Sequence, residues 1–513
     1  MRSGRDCRTI GLVGNCQLFV INCLLKAKYR FYGVSVPEPT MFLLLTMLVA
    51  IPGLLYWLYW RWVNRRKLEL ASTIPGPPAY PVIGNTLIFL TDTTEQVKKI
   101  AKMFNEYGEY VRFWLGPDLN IAVKNPADIR LLLTSNKVNN KGPQYTFLEP
   151  YIGPGILAGG PTWRNHRKIA TPSYNKKSVH VFQDVFNQEA EELANALLKK
   201  NTEESFDIYF NVLSTTTSAV CQTLMGLSKN EYKGMKNLDE VVLKTQKIYD
   251  LIFKQMTRWW LLIPGVSWLI GVRSQQAYYM KLTDELASDI VRARQRALEK
   301  GRVPEDAMGV VDRYLLSGEL TEKQVKEESF TLFTTSQEAA AKIASGVLMF
   351  LGQLPDWQYH QELLQHLDMV YRETLQYFSI DVIINDGKIT LPAGTSLVIP
   401  IHEVHRDPKY WEDPLRIMPE RFLPENVKKR DPNAFIPFSL GPMDCLGRVY
   451  ATALIKTLVI HVVRKIYLES NEPIHNLDLE IAISVKASNG YNVQVRPRTM
   501  TNGYHKTNGF HHH

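Results

Sequence analysis

Between Met41 and Trp60 the chain reads MFLLLTMLVAIPGLLYWLYW, a run of 20 residues without one charged side chain. Wound as an α-helix at ~1.5 Å per residue, it is about 30 Å long, which matches the hydrocarbon thickness of a bilayer. A buried core helix is the other conformation open to such a run. Tyr56, Trp57, Tyr59, Trp60 and Trp62 gather at its end like an interfacial belt. Arg61, Arg65, Arg66 and Lys67 follow at once, which puts the downstream side in the cytosol. No small-residue cleavage site follows, so residues 41–62 read as a transmembrane signal anchor rather than a cleaved signal peptide.

The anchor divides the chain. Residues 1–40 have no periodic pattern, hold three of the five cysteines and precede a second plausible initiator, Met41; they are expected to lie outside the working protein. Residues 63–85 form a basic stop and a stiff elbow, IPGPPAYPVIGN from Ile74, whose four prolines fix φ and deny backbone donors, so that it is neither helix nor central strand. From 86 to 500 no spacer and no repeat divides the chain, which predicts one large domain; residues 501–513 are a tail. Long helical patterns dominate this body. Thr321 to Gln324 is a capping box before an apolar run reaching Gly352, roughly 45 Å of helix at ~1.5 Å per residue. Strand-like stretches are short and late, near ITLPAGTSLVIP and GYNVQVRPR. The expected class is mainly α with a small β part.

Five cysteines in 513 residues form no CxxC pair and no even framework, which predicts a reducing compartment. A net charge of +9 is modest for this length and spread along the chain. It suits a basic face for an acidic protein partner or anionic lipid, and no stretch reads as a nucleic-acid module.

One cysteine is set apart. In PFSLGPMDCLGR, Pro437 to Arg448, Cys445 lies in a turn bracketed by Gly441 and Gly447 and followed by an apolar helical pattern. A buried small hydrophobe would need no glycines; a nucleophile would want a base or a helix N-terminus; a metal ligand would want to be a thiolate. The loop suits the last two, because the amides opening the following helix stabilise negative sulfur. No second Cys or His stands at zinc spacing, so a single-thiolate site points to iron held mainly by a porphyrin.

Phe438, Gly441, Cys445 and Gly447 have the spacing F-x-x-G-x-x-x-C-x-G, which resembles the heme-binding loop of the cytochrome P-450 family. The likeness runs from the anchor to the last strands. The anchor and elbow resemble the family's microsomal class. PTWRNHRKIATPSY looks like its helix C, which implies that Trp163 and Arg167 reach a heme propionate. PERFLPEN from Pro419 resembles the segment before the heme loop, and HRDPKYWEDP from His405 is similar to insect members of the family-four clan. TTSQEAAAK resembles the oxygen-binding segment, in which an acid and then a threonine relay protons; here they are Glu338 and Ala339, with Thr334, Thr335 or Ser336 as substitute hydroxyls. Glu373 and Arg421 match two members of a Glu-Arg-Arg network whose third position is Gln376. Met443 occupies the place of an arginine that commonly contacts a propionate, no arginine lies between Gln376 and Lys388, and Arg448 or His405 could substitute. The chain is also shorter than the family pattern between LPDWQYHQEL and LDMVYRETL, and QYFSIDVIIND looks abbreviated.

The resemblance implies a cytochrome P-450 fold behind one transmembrane helix in the endoplasmic reticulum membrane, with the catalytic domain on the cytosolic side. It implies heme b with Cys445 as axial thiolate, held further by Phe438, Gly441, Gly447, Trp163, Arg167 and Arg448. Electrons would come from NADPH through a flavoprotein reductase, with cytochrome b5 as a further partner. One atom of dioxygen would enter a lipophilic substrate: a fatty acid, terpenoid, odorant or xenobiotic. Glu338 would be the relay acid. Two rival readings stay open: a catalytically impaired or incomplete member of the same fold, motivated by Gln376, Ala339 and Met443, and a cysteine hydrolase using His405 or His461.

Overall fold

The computed structural model describes residues 39–135, 141–200, 204–301, 303–358, 363–377, 395–471, 477–481 and 483–498. Most of the proposed extension, the tail from 501 and the abbreviated stretch from 378 to 394 lie outside the described residues. The chain divides into two units, Met1–Leu68 and Glu69–His513. In the first, the uncharged run is helical as α1, Pro39–Val63, with Pro52 inside it. The Arg61 guanidinium lies 5.0 Å over the Trp57 ring. Among the described residues no helix is long and apolar enough to cross a membrane.

The second unit begins with the proline segment. Because prolines lack N–H groups, other groups must fix it. Arg112 N donates to Pro75 O at 2.8 Å, Asn85 Nδ2 donates to Pro78 O at 2.8 Å, and Asn85 Oδ1 accepts from Trp114 N at 2.9 Å. The elbow is thereby fastened along β1, Tyr110–Leu115, and Ile74 is buried beneath it. Gly84 is required in this fastening: its φ is +60°, and a Cβ would meet Trp114 O at 2.5 Å.

The β part is small. β1 pairs antiparallel with β2, Asp118–Val123, and β2 pairs parallel with β4, Ser396–Val398. A second sheet has the order β3-β8-β5, from Phe206–Asp207, Asn492–Pro497 and Ile466–Glu469. β6, Leu479–Ile481, and β7, Val485–Ala487, form a hairpin. β4 and β8 fall where the sequence predicts strands, but the expectation that strands come only late is corrected by β1 and β2. Five of the six residues of β2 are buried, on both faces, so it lacks the alternation that betrays a half-exposed strand.

The body is otherwise helical: α2, Thr93–Tyr107; α3, Trp163–Ala170; α4, Gln183–Lys200; α5, Tyr209–Thr223; α6, Leu238–Thr257; α7, Val272–Lys300; α8, Glu322–Gln353; α9, Leu363–Tyr377; and α10, Arg448–Lys465. The predicted capping box opens α8, with Thr321 Oγ1 accepting from Gln324 N and Gln324 Oε1 accepting from Thr321 N at 2.9 Å. α8 packs against α5, α7, α9 and α10, and α10 packs along α4. Tyr450 of α10 marks the centre. Its ring meets Phe186 edge-on at 5.2 Å, with Tyr174 and Phe182 beside it, and its hydroxyl shares a 2.7 Å bond with Thr223 of α5. That arrangement ties together the two elements on which the site depends, α8 through α5 and the cysteine loop through α10.

Candidate active site

The loop from Ile436 to Gly447 turns back on itself: Ser439 N donates to Ile436 O, Asp444 N to Gly441 O, and Cys445 N to Phe438 O at 2.9 Å. Gly441 has φ +77°, and a Cβ there would stand 1.9 Å from Leu133 O, so only glycine lets the loop lie against the helix Pro126–Thr134. Gly447 is different. Its φ is −79°, and its contribution is an amide that donates toward the Cys445 sulfur as α10 begins.

Cys445 is exposed, yet neighbouring atoms crowd it enough for burial to push its thiol up; the Gly447 amide, Arg448 and Arg167 pull the other way. Both observations hold if the sulfur fronts an interior space rather than the outer surface. From Ser329 to Gly352 every side chain is buried except Thr335, Ser336 and Ala339, which at i, i+1 and i+4 share one face. Tyr174 connects that face to the cysteine: its hydroxyl lies 3.5 Å from Ser336 Oγ, and the charge of Cys445 adds to the upward shift that burial gives its phenol. Tyr371 of α9 feels the same sulfur and bonds Thr452 at 3.0 Å. Neither tyrosine carries a local sequence signal, since their roles arise only from packing.

The acid expected to relay protons is placed differently. Glu338 is buried and paired with Lys342 at 2.7 Å, and the Lys342 ammonium also donates to Ser484 between β6 and β7. Tyr209, Tyr249 and Tyr491 feel its charge. Thr335 Oγ1 donates to Thr331 O at 2.7 Å, and Thr334 is buried and bonded to Phe330 O. The small residue on the open face is Ala339.

α3 supplies Trp163 and Arg167. Trp163 is buried, with the Arg164 guanidinium 5.4 Å over its ring. Arg167 reaches the cysteine loop, where Nη1 donates to Asp444 O and Nη2 to Asp444 Oδ1, each at 2.5 Å. Arg448 Nη2 donates to Asp444 Oδ2 at 2.9 Å and lies 5.5 Å over the Phe438 ring. His405, considered as a substitute cation, is not available. It is buried, its Nε2 accepts from Ile436 N at 3.0 Å, and its ring packs on Trp411 and Phe435. His461 bonds Glu191 and Asn187, so neither histidine offers Cys445 the base that a hydrolase needs.

Glu373 of α9 pairs directly with Arg421 at 3.2 Å and accepts from Met418 N at 3.0 Å. Arg421 also donates to the carbonyls of Met418, Glu412, Asp413 and Arg416. Burial pushes the Glu373 carboxyl up to about 7, with Arg421 pulling it back. Gln376 lies three residues on in α9. Arg430, which no sequence pattern singled out, sits 4.0 Å over Trp411 and 4.7 Å over Phe422, and burial pushes it down to about 10.

A lone sulfur in a glycine-braced loop, assisted by a helix-opening amide, fits a porphyrin-bound iron. Among the described residues no group of three His, Cys, Asp or Glu side chains offers a rival metal site. Fold and loop thus define the class of heme-thiolate oxygenases. The chain belongs to the cytochrome P-450 family, whose model matches it in two stretches, residues 74–371 and 361–494. It is similar to cytochrome P-450 4V2 of Rattus norvegicus, 28% identical over 489 residues that cover 84% of this chain and 91% of that protein. Two proteins of Drosophila melanogaster are similar as well. Probable cytochrome P-450 4s3 is 27% identical over 471 residues, 84% of this chain and 93% of its own; cytochrome P-450 4g1 is 24% identical over 528 residues, 89% and 94%. The enzyme is accordingly a cytochrome P-450 monooxygenase, and its family uses heme with thiolate ligation.

Proposed function

We propose that the chain is a single-pass protein of the endoplasmic reticulum membrane that oxygenates a small lipophile on the cytosolic side, taking electrons from NADPH through a flavoprotein reductase, with cytochrome b5 as a second donor. The observation that carries the reading is Cys445, an exposed sulfur in a glycine-braced loop, with Tyr174 reaching both it and Ser336 on the open face of α8. Heme held by Cys445 supplies reductive cleavage of dioxygen, one atom entering a C–H bond of the substrate and the other leaving as water with two electrons and two protons. Phe438, Gly441 and Gly447 shape the loop, and Arg448 and Arg167 are its nearby cations. The buried apolar wall of α8 excludes water, and Thr335 and Ser336 are hydroxyls on its open face that can hold a proton-carrying water where Ala339 cannot. Glu338 keeps the relay-acid position of the family pattern and in this chain is paired with Lys342. The uncharged run from 41 to 60, the aromatic belt and the cations after it support the anchor.

Residues 41–513, joined in lipid vesicles with a P-450 reductase and NADPH, should convert members of a panel of fatty acids, terpenoids and aromatic lipophiles to products carrying one oxygen atom from dioxygen. Absence of labelled product from every member, with heme bound, would sink the reading.

A second reading is favoured by Ala339 on the open face and by the break of the family match near 361–371: an impaired or incomplete member that keeps heme but turns over poorly. Ala339→Thr and Gln376→Arg separate the two, since rescue of turnover by either identifies those positions as the defect. Transcript reads across 355–390 show whether sequence is missing there.

A further inference from the structure

Two arginines flank the cysteine, and both are already taken. Arg167 reaches across from α3 to place two bonds on Asp444, and Arg448, at the first turn of α10, places a third on its other carboxylate oxygen. Asp444 is the residue next to Cys445 in sequence, only partly exposed, and its two carboxylate oxygens and its carbonyl are each bound by guanidinium. Charge-assisted bonds of this kind are about twice as strong as neutral ones, and a guanidinium that donates in a fork to one acid is poorly placed to donate to another. The other groups considered for this edge are absent or engaged: Met443 stands where an arginine was expected, and His405 is bonded to Ile436 N.

A porphyrin carries two carboxylates. Two guanidiniums and one internal carboxylate leave a single positive charge to meet them. We infer that Asp444 competes with the porphyrin carboxylates for Arg167 and Arg448, and so limits how firmly this chain retains heme. The inference rests on the reading of Cys445 as the heme ligand. It makes Asp444 a positioning residue: it fastens the cysteine loop to α3, and to meet the porphyrin carboxylates Arg167 and Arg448 must be shared or released by it.

The test compares wild-type, Asp444→Asn, Asp444→Glu and Met443→Arg proteins, each loaded with heme. The readouts are the rate at which heme passes to an excess of a heme-scavenging apoprotein, followed in the Soret band, and the thermal unfolding of each heme-free form. Asp444→Asn should lose heme about tenfold more slowly, the equivalent of one charge-assisted bond passing from Asp444 to the porphyrin, while its heme-free form unfolds at a lower temperature. Asp444→Glu keeps the competing charge and should stay within a factor of about two of wild type. Met443→Arg adds a cation that Asp444 does not occupy and should also slow the loss, which keeps the test open if Asp444→Asn fails to fold. A purely structural brace predicts the opposite sign. Faster or unchanged heme loss in folded Asp444→Asn, or no slowing in Met443→Arg, overturns the inference. Failure of the wild-type protein to take up heme at all overturns the heme reading instead.

Discussion

Replacing Glu373 by Gln should abolish a specific pH dependence of stability. Glu373 is fully buried, has one guanidinium partner and one backbone donor, and titrates near 7 instead of near 4.5. Because the folded state keeps its proton to higher pH than the unfolded state, the folded chain binds more protons between those two values, and stability must fall as pH rises through that window. The drop between 4.5 and about 7 corresponds to about 3 kcal/mol, at about 1.4 kcal/mol for each pH unit, and levels off above 7. Gln cannot ionise, yet its carbonyl can still accept from Met418 N, and Arg421 keeps its four carbonyl acceptors. Denaturant titrations of both proteins at pH 5 and pH 8 measure the difference. The mutant should be less sensitive to pH by about 3 kcal/mol and should match or exceed wild type at pH 8. An equal pH dependence in both proteins would mean that Glu373 is ionised throughout and that Arg421 alone compensates its burial.

Gly441→Ala forces a Cβ onto Leu133 O at a positive φ, and should cost at least about 1 to 3 kcal/mol and reduce bound heme, read by thermal unfolding and Soret absorbance. Tyr450→Phe removes one buried hydroxyl bond to Thr223 while keeping the ring packing, so unfolding free energy should fall by about 1 kcal/mol. Lys342→Met leaves Glu338 buried without its cation and should cost about 3 to 5 kcal/mol, whereas Lys342→Met combined with Glu338→Leu should recover most of it. A double-mutant cycle by denaturant titration checks the last pair, and additive losses would show the two side chains to be uncoupled.

The elements that were legible in the sequence are those with local chemistry. The Thr321 and Gln324 box sets the start of α8, the prolines from 75 to 81 exclude helix, and the spacing from Phe438 to Gly447 predicts the cysteine turn. What stayed hidden was decided by partners distant in sequence. β2 is central in its sheet, between β1 and β4, and five of its six residues are buried, so no alternation marks it. The helix-C motif marks Arg167, but not its partner in this structure: Asp444, 277 residues later, offers the guanidinium two acceptors. Likewise Lys342 lies one turn beyond Glu338 in plain view, yet that the pair is buried, and therefore matters, follows from packing against the β6–β7 hairpin. The stripe of Thr335, Ser336 and Ala339 emerges only when burial along α8 is known.

The central claim is that the Cys445 sulfur binds porphyrin iron. The direct measurement is the absorbance of purified protein, residues 41–513, reduced with dithionite and exposed to carbon monoxide, beside a Cys445→Ser variant. The wild type should show the red-shifted Soret band of a thiolate-bound iron and the variant should lose it. A wild-type band at the position given by nitrogen ligation, or a thiolate band that survives in Cys445→Ser, would contradict the claim.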